Sequence, residues 1–76
     1  MALGVGIKRS VTIAGHETSV SLEPVFWTAL EAEAARDSVP LNALVARIDA
    51  GRLDSQPAPN LTSAIRQYLL LRALDR

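Results

Sequence analysis

Arg9-Ser10-Val11-Thr12-Ile13 and Thr18-Ser19-Val20-Ser21-Leu22, joined by Ala14-Gly15-His16-Glu17 and followed by Glu23-Pro24, decide the fold. Both segments alternate and are rich in β-branched residues, the pattern of half-buried strands, and the short Gly-containing joint predicts a β-hairpin over residues 8–22. A two-residue turn at Gly15-His16 would set Ile13 against Thr18, Val11 against Val20, Ser10 against Ser21 and Arg9 beside Leu22. Side chains alternate across a strand. Val11, Ile13, Val20 and Leu22 therefore line one face, and Lys8, Ser10, Thr12, Ser19 and Ser21 the other. Two strands alone are marginal in water, so the apolar face needs a cover.

From Glu23 onward the apolar spacing becomes helical. Pro24 suits a first turn, and a helix is expected over 23–37, with Phe26, Trp27, Leu30 and Ala34 on one stripe and Glu31, Glu33 and Arg36 on the remainder. Ser38-Val39-Pro40 breaks the chain. A second helix is expected over 40–53, buried along Leu41, Leu44, Val45 and Ile48, with Gly51 placed as its stop. Residues 54–59 hold two prolines and no periodic apolar residue, which marks a surface linker. Asn60 is a good N-cap for a third helix over 60–74, whose apolar residues Leu61, Ile65, Tyr68, Leu69, Leu70, Leu71 and Leu74 span more than one face requires. The chain thus reads as a single domain, 1–76, mainly α with a short β-ribbon.

Composition limits what such a chain can do. At 76 residues, 49 % hydrophobic and 21 % charged, it is a small folding domain with no room for a second lobe. It has no Cys and one His, so disulfides and Cys/His zinc sites are excluded; a partner subunit is the remaining common means of stabilising so small a domain. Net charge is zero, but unevenly spread. Residues 1–16 carry Lys8 and Arg9 and no acid, residues 17–54 seven acids against three arginines, and residues 55–76 three arginines against one Asp. The longest apolar run, Tyr68 to Leu71, is far too short to cross a bilayer, and a cytoplasmic location is expected. His16 has no second His, Cys or paired carboxylate to work with, so no catalytic residue, metal or cofactor is expected.

The order of an alternating strand, a Leu22-Glu23-Pro24 start to an amphipathic helix, a brief turn, and Leu41-Asn42-Ala43-Leu44-Val45 opening a second helix resembles a ribbon-helix-helix domain. Lys8 to Ile13, Thr18 to Pro24, Phe26-Trp27, Leu41 to Val45 and Asn60 to Arg66 together resemble, across residues 8–74, a group of short bacterial ribbon-helix-helix proteins of largely uncharacterised role. The resemblance implies a ribbon-helix-helix homodimer, here with an amino-terminal hairpin strand and an additional carboxy-terminal helix. In that family each chain gives a strand to a ribbon whose outward side chains enter the DNA major groove. Thr18 to Leu22 would be the pairing strand.

Double-stranded DNA would then meet Lys8, Arg9, Ser10, Thr12, Ser19 and Ser21, the first two at phosphates. Val11, Ile13, Val20, Leu22, Trp27, Leu44, Val45 and Ile48 would form the dimer core. The resemblance also implies a phosphate held at the start of the second helix, where Pro40 takes the place of a capping Ser or Thr and removes a donor. If the first strand stays paired, the dimer sheet has four strands and is about 14 Å across, against a major groove of about 12 Å. The implied function is a small transcriptional regulator. The alternative is a protein-interaction module of the same fold, antitoxin-like or an adaptor, with a protein partner and little DNA binding.

Overall fold

The computed structural model describes residues 3–76 and consists of an antiparallel hairpin with three helices: β1 Ile7–Ile13, β2 His16–Leu22, α1 Pro24–Arg36, α2 Leu41–Arg52 and α3 Leu61–Leu74. This is the mainly helical architecture, with a short ribbon and an extra carboxy-terminal helix, that the sequence implies. The first two residues of the expected 1–76 domain lie outside the described ones. α2 packs on β1, while α1 and α3 pack on β2.

The hairpin register differs from the expected one. Ile7 pairs with Leu22, Arg9 with Val20, Val11 with Thr18 and Ile13 with His16, around a turn at Ala14-Gly15 in place of Gly15-His16. Two physical reasons favour this register. Both central residues take positive φ, 51° at Ala14 and 81° at Gly15, which matches the right-handed twist of the strands. The alternative would set Ile7 opposite Pro24, which has no N–H to offer a ladder. The slip is two residues, so the faces are unchanged. Because Ala carries a Cβ into the left-handed region and Asn tolerates it better, Ala14→Asn is expected to raise stability by about 0.5 kcal/mol. A lower urea midpoint in the variant would contradict this account of the turn.

The helices close over one face of the hairpin. Glu23 is the N-cap of α1 and Pro24 its first residue, and Trp27, Leu30 and Ala34 turn inward. Glu33 does too. Its expected place on the solvent side is corrected: it is 4 % exposed, because guanidinium groups converge on it. α2 buries Leu44, Val45 and Ile48, and it runs through Gly51 to Arg52, so Gly51 is no stop; Leu53 caps the helix in ordinary right-handed geometry. The side chain of Asn60 accepts from the Ser63 N–H at 2.8 Å and caps α3, which contributes Ala64, Ile65 and Leu69 to the core.

Val11, Val20, Leu22, Trp27, Leu44, Val45 and Ile48, expected at a dimer core, are already covered inside one chain, with Ile13 half-buried beside them. Leu30 and Ile65 complete this core, both fully buried. Of the wide apolar arc on α3, Leu70, Leu71 and Leu74 remain exposed.

Candidate nucleic-acid interface

Among the described residues no helix covers the other face of the hairpin. The register sets Lys8 beside Ser21, Ser10 beside Ser19 and Thr12 beside Glu17, all six exposed and on the side opposite Val11 and Val20. Five of the six residues expected to meet DNA are thus brought together. Arg9 is not among them. Its odd position turns it to the helical side, where its guanidinium lies 4.4 Å from the centroid of the Trp27 ring and 2.9 Å from Glu31 Oε1. Trp27 in turn donates from Nε1 to the Ile7 carbonyl at 2.8 Å, tying α1 to the start of β1.

Glu17 was not singled out in the sequence, because the expected register left it in the turn; pairing with Thr12 places a carboxylate at one end of the hydroxyl face. Asn42 was also missed. Its Oδ1 accepts from the Thr12 backbone N–H at 3.1 Å, so the first turn of α2 sits against the edge of β1. Pro40 is the N-cap of α2, in the capping place expected of it, and the helix proper begins at Leu41, so it removes none of the helix's own donors. The donors of Leu41, Asn42 and Ala43 are therefore kept, with no side chain capping them. A position just after a chain break is where an acceptor for a neighbouring strand could have been sought.

Charge is mostly spent within the fold. Arg9, Arg36, Arg47, Arg52, Arg66, Arg72 and Arg76 each have a carboxylate partner, which among the described residues leaves Lys8 as the one lysine or arginine without one. Arg66 reaches Glu23 at 2.9 Å. Arg72 bridges Glu33 at 3.0 Å and Asp37 at 3.1 Å, and Arg76 also bonds Glu33, so the ends of α1 and α3 are clasped together. The Arg76 hydrogen bond, with further help from the Arg72 charge, holds the Glu33 carboxyl below its ordinary value of 4.5; Arg66 does the same for Glu23.

A depressed folded pKa stabilises above the unfolded value and is lost as pH falls through the folded one. The thermal midpoint is accordingly expected to hold down to about pH 4.5 and fall below it, with Glu33→Gln flattening that acid limb and lowering the midpoint at neutral pH. An unchanged acid limb in Glu33→Gln would show that the clasp does not control it.

No group of three or more His, Asp or Glu among the described residues could hold a metal ion, and no helix of the described residues is long and apolar enough to cross a membrane. Comparison with curated proteins and with solved structures gives no match. The family described as the ribbon-helix-helix domain matches residues 6–73, which takes in the hairpin and all three helices but for the last residue of α3. With nearly its whole length matched, and with a ribbon leading into its helices in the family's order, the chain belongs to the ribbon-helix-helix family.

Proposed function

We propose that this chain is a small transcriptional regulator, acting in the cytoplasm as a homodimer that binds double-stranded DNA through the outer face of its hairpin. Ribbon-helix-helix proteins are in general DNA-binding transcription regulators or antitoxins, typically dimeric and non-enzymatic. The observation that carries the reading is the uncovered face of Lys8, Ser10, Thr12, Ser19 and Ser21, bordered by the uncapped first turn of α2. Hydroxyls donate and accept, so they suit several base edges with little selectivity, while Lys8 and the helix N–H groups suit phosphates. Strands spaced about 4.8 Å apart let one hairpin enter a groove about 12 Å wide, whereas four joined strands would not fit. One hairpin per half-site is the arrangement this favours.

Zero net charge and the paired arginines keep long-range attraction small, so binding is expected at low salt. Fluorescence anisotropy on pooled genomic fragments is the test. Lys8→Ala should reduce the salt slope by about 0.9 for each protomer bound, and Ser19→Glu should abolish binding without unfolding the chain. Absence of binding at low salt, or indifference to both substitutions, would overturn the reading, and sedimentation in the same buffer reports the dimer.

A second reading, a protein-interaction module of antitoxin or adaptor type, is favoured by the internal pairing of every arginine and by the exposed Leu70, Leu71 and Leu74. Here Lys8→Ala would be silent, and a stoichiometric protein partner would co-purify without nucleic acid.

A further inference from the structure

A groove of about 260 Å³ lies between α2 and α3. Ile48, Gly51, Ala64, Leu71 and the ring of Tyr68 make its apolar walls, with Arg47 at its edge. The volume lies just below the roughly 300–1,000 Å³ of drug-sized sites, which suits an organic fragment of about ten non-hydrogen atoms.

Gly51 is the first sign that this space is kept open. It stands in the last turn of α2, one residue before the helix ends, and nothing in the backbone demands glycine there. It has no left-handed φ, and a Cβ built there would meet no atom within 4 Å. Gly51 lines the groove, and a side chain there would have open space to extend into.

The second sign is charge. Arg47 is more than half exposed and reaches Asp37 Oδ2 only at 3.4 Å, while Arg72 holds the other oxygen of the same carboxylate at 3.1 Å. Of the two guanidiniums on Asp37, Arg47 is the looser and can turn to an incoming anion. Arg52, also at the groove, is less available, being bound to Asp49 at 2.7 Å and to the Pro59 carbonyl.

We propose that the α2–α3 groove binds a small organic carboxylate, its apolar body between Ile48, Ala64, Tyr68 and Leu71 and its anionic end on Arg47. The site stands on α2 and α3 alone. It is therefore independent of whether the outer face of the hairpin binds DNA.

The test is a titration of the ¹⁵N-labelled full chain with 4-phenylbutyrate, an aromatic body with a terminal carboxylate, followed by amide shifts, beside 4-phenylbutan-1-ol as the uncharged counterpart. Saturable shifts centred on Gly51, Ala64 and Leu71 are expected, with the alcohol binding about tenfold more weakly. Arg47→Gln, at an exposed position that leaves the fold intact, should weaken the acid about tenfold and leave the alcohol unaffected. Gly51→Leu should remove both.

The proposal fails if the shifts do not saturate or centre elsewhere, if acid and alcohol bind equally, or if neither variant alters binding. It fails as well if the same amides move with protein concentration alone, because the groove's occupant would then be a second copy. Should Gly51→Leu not fold, the Arg47→Gln comparison of acid with alcohol still decides.

Discussion

Trp27→Ala is expected to lower the unfolding free energy by about 3–5 kcal/mol, the range for truncating a large buried aromatic. For 76 residues the total stability should be about 4–11 kcal/mol, so this one change removes a large part of it. Trp27 is 4 % exposed and packs in the same core as Val20, Leu22 and Leu30, so its loss leaves a cavity. It also releases the Ile7 carbonyl, which the indole holds at 2.8 Å, and removes the ring beneath Arg9. Trp27→Phe separates these contributions. It keeps most of the apolar volume and loses the N–H donor, so a cost nearer 1 kcal/mol is expected. Urea unfolding followed by far-ultraviolet circular dichroism measures both variants without depending on the single tryptophan. A loss below 1 kcal/mol in Trp27→Ala would mean that the ribbon is not fastened to α1 as described.

The other large effect concerns α3. Ile65→Ala should cost about 2–5 kcal/mol, because Ile65 is fully buried and closes over the same core as Leu22, Leu30 and Leu44. The contrast lies one turn further on: Leu70, 60 % exposed, should accept Ser within about 0.5 kcal/mol. A chain ending at Asp54 would lack Ala64, Ile65 and Leu69 together and is expected to show no cooperative unfolding. If that shortened chain unfolded with the same midpoint as the full one, α3 would be an accessory and the core would need another cover, such as a second copy. Cooperative unfolding of the full chain independent of its concentration would show instead that one chain suffices.

Much of this architecture is legible in the residues themselves. Alternation in Val11-Thr12-Ile13 and Ser19-Val20-Ser21-Leu22 separates an apolar face from a hydroxyl face whatever register the turn selects, because a slip of two residues preserves parity. Pro24, Pro40 and Asn60 mark helix starts through a missing N–H, a fixed φ and a side-chain acceptor. The candidate site is therefore mostly readable, with Lys8, Ser10, Thr12, Ser19 and Ser21 on one uncovered surface.

What escaped the sequence depends on distant partners. Arg9 has the same local credentials as Lys8, but its parity turns it toward Trp27 and Glu31, residues of a helix whose placement no strand pattern specifies. Glu33 falls beside the apolar stripe of α1 and would ordinarily seek water; Arg36 on the same helix, and Arg72 and Arg76 approaching from the far end of the chain, make its burial tolerable. Glu17 entered the site when the turn moved by one residue.

The sequence by itself determined which residues face inward and where helices begin, since these follow from backbone periodicity and from the chemistry of Pro, Gly and Asn acting within a few positions. Tertiary structure alone decided what covers the apolar face and which charges stay free. α3 reaches back across a linker to supply Ala64, Ile65 and Leu69, and ion pairs between segments more than thirty residues apart neutralise Arg66, Arg72 and Arg76. Burial and charge pairing are set by proximity in space, and local patterns do not encode it.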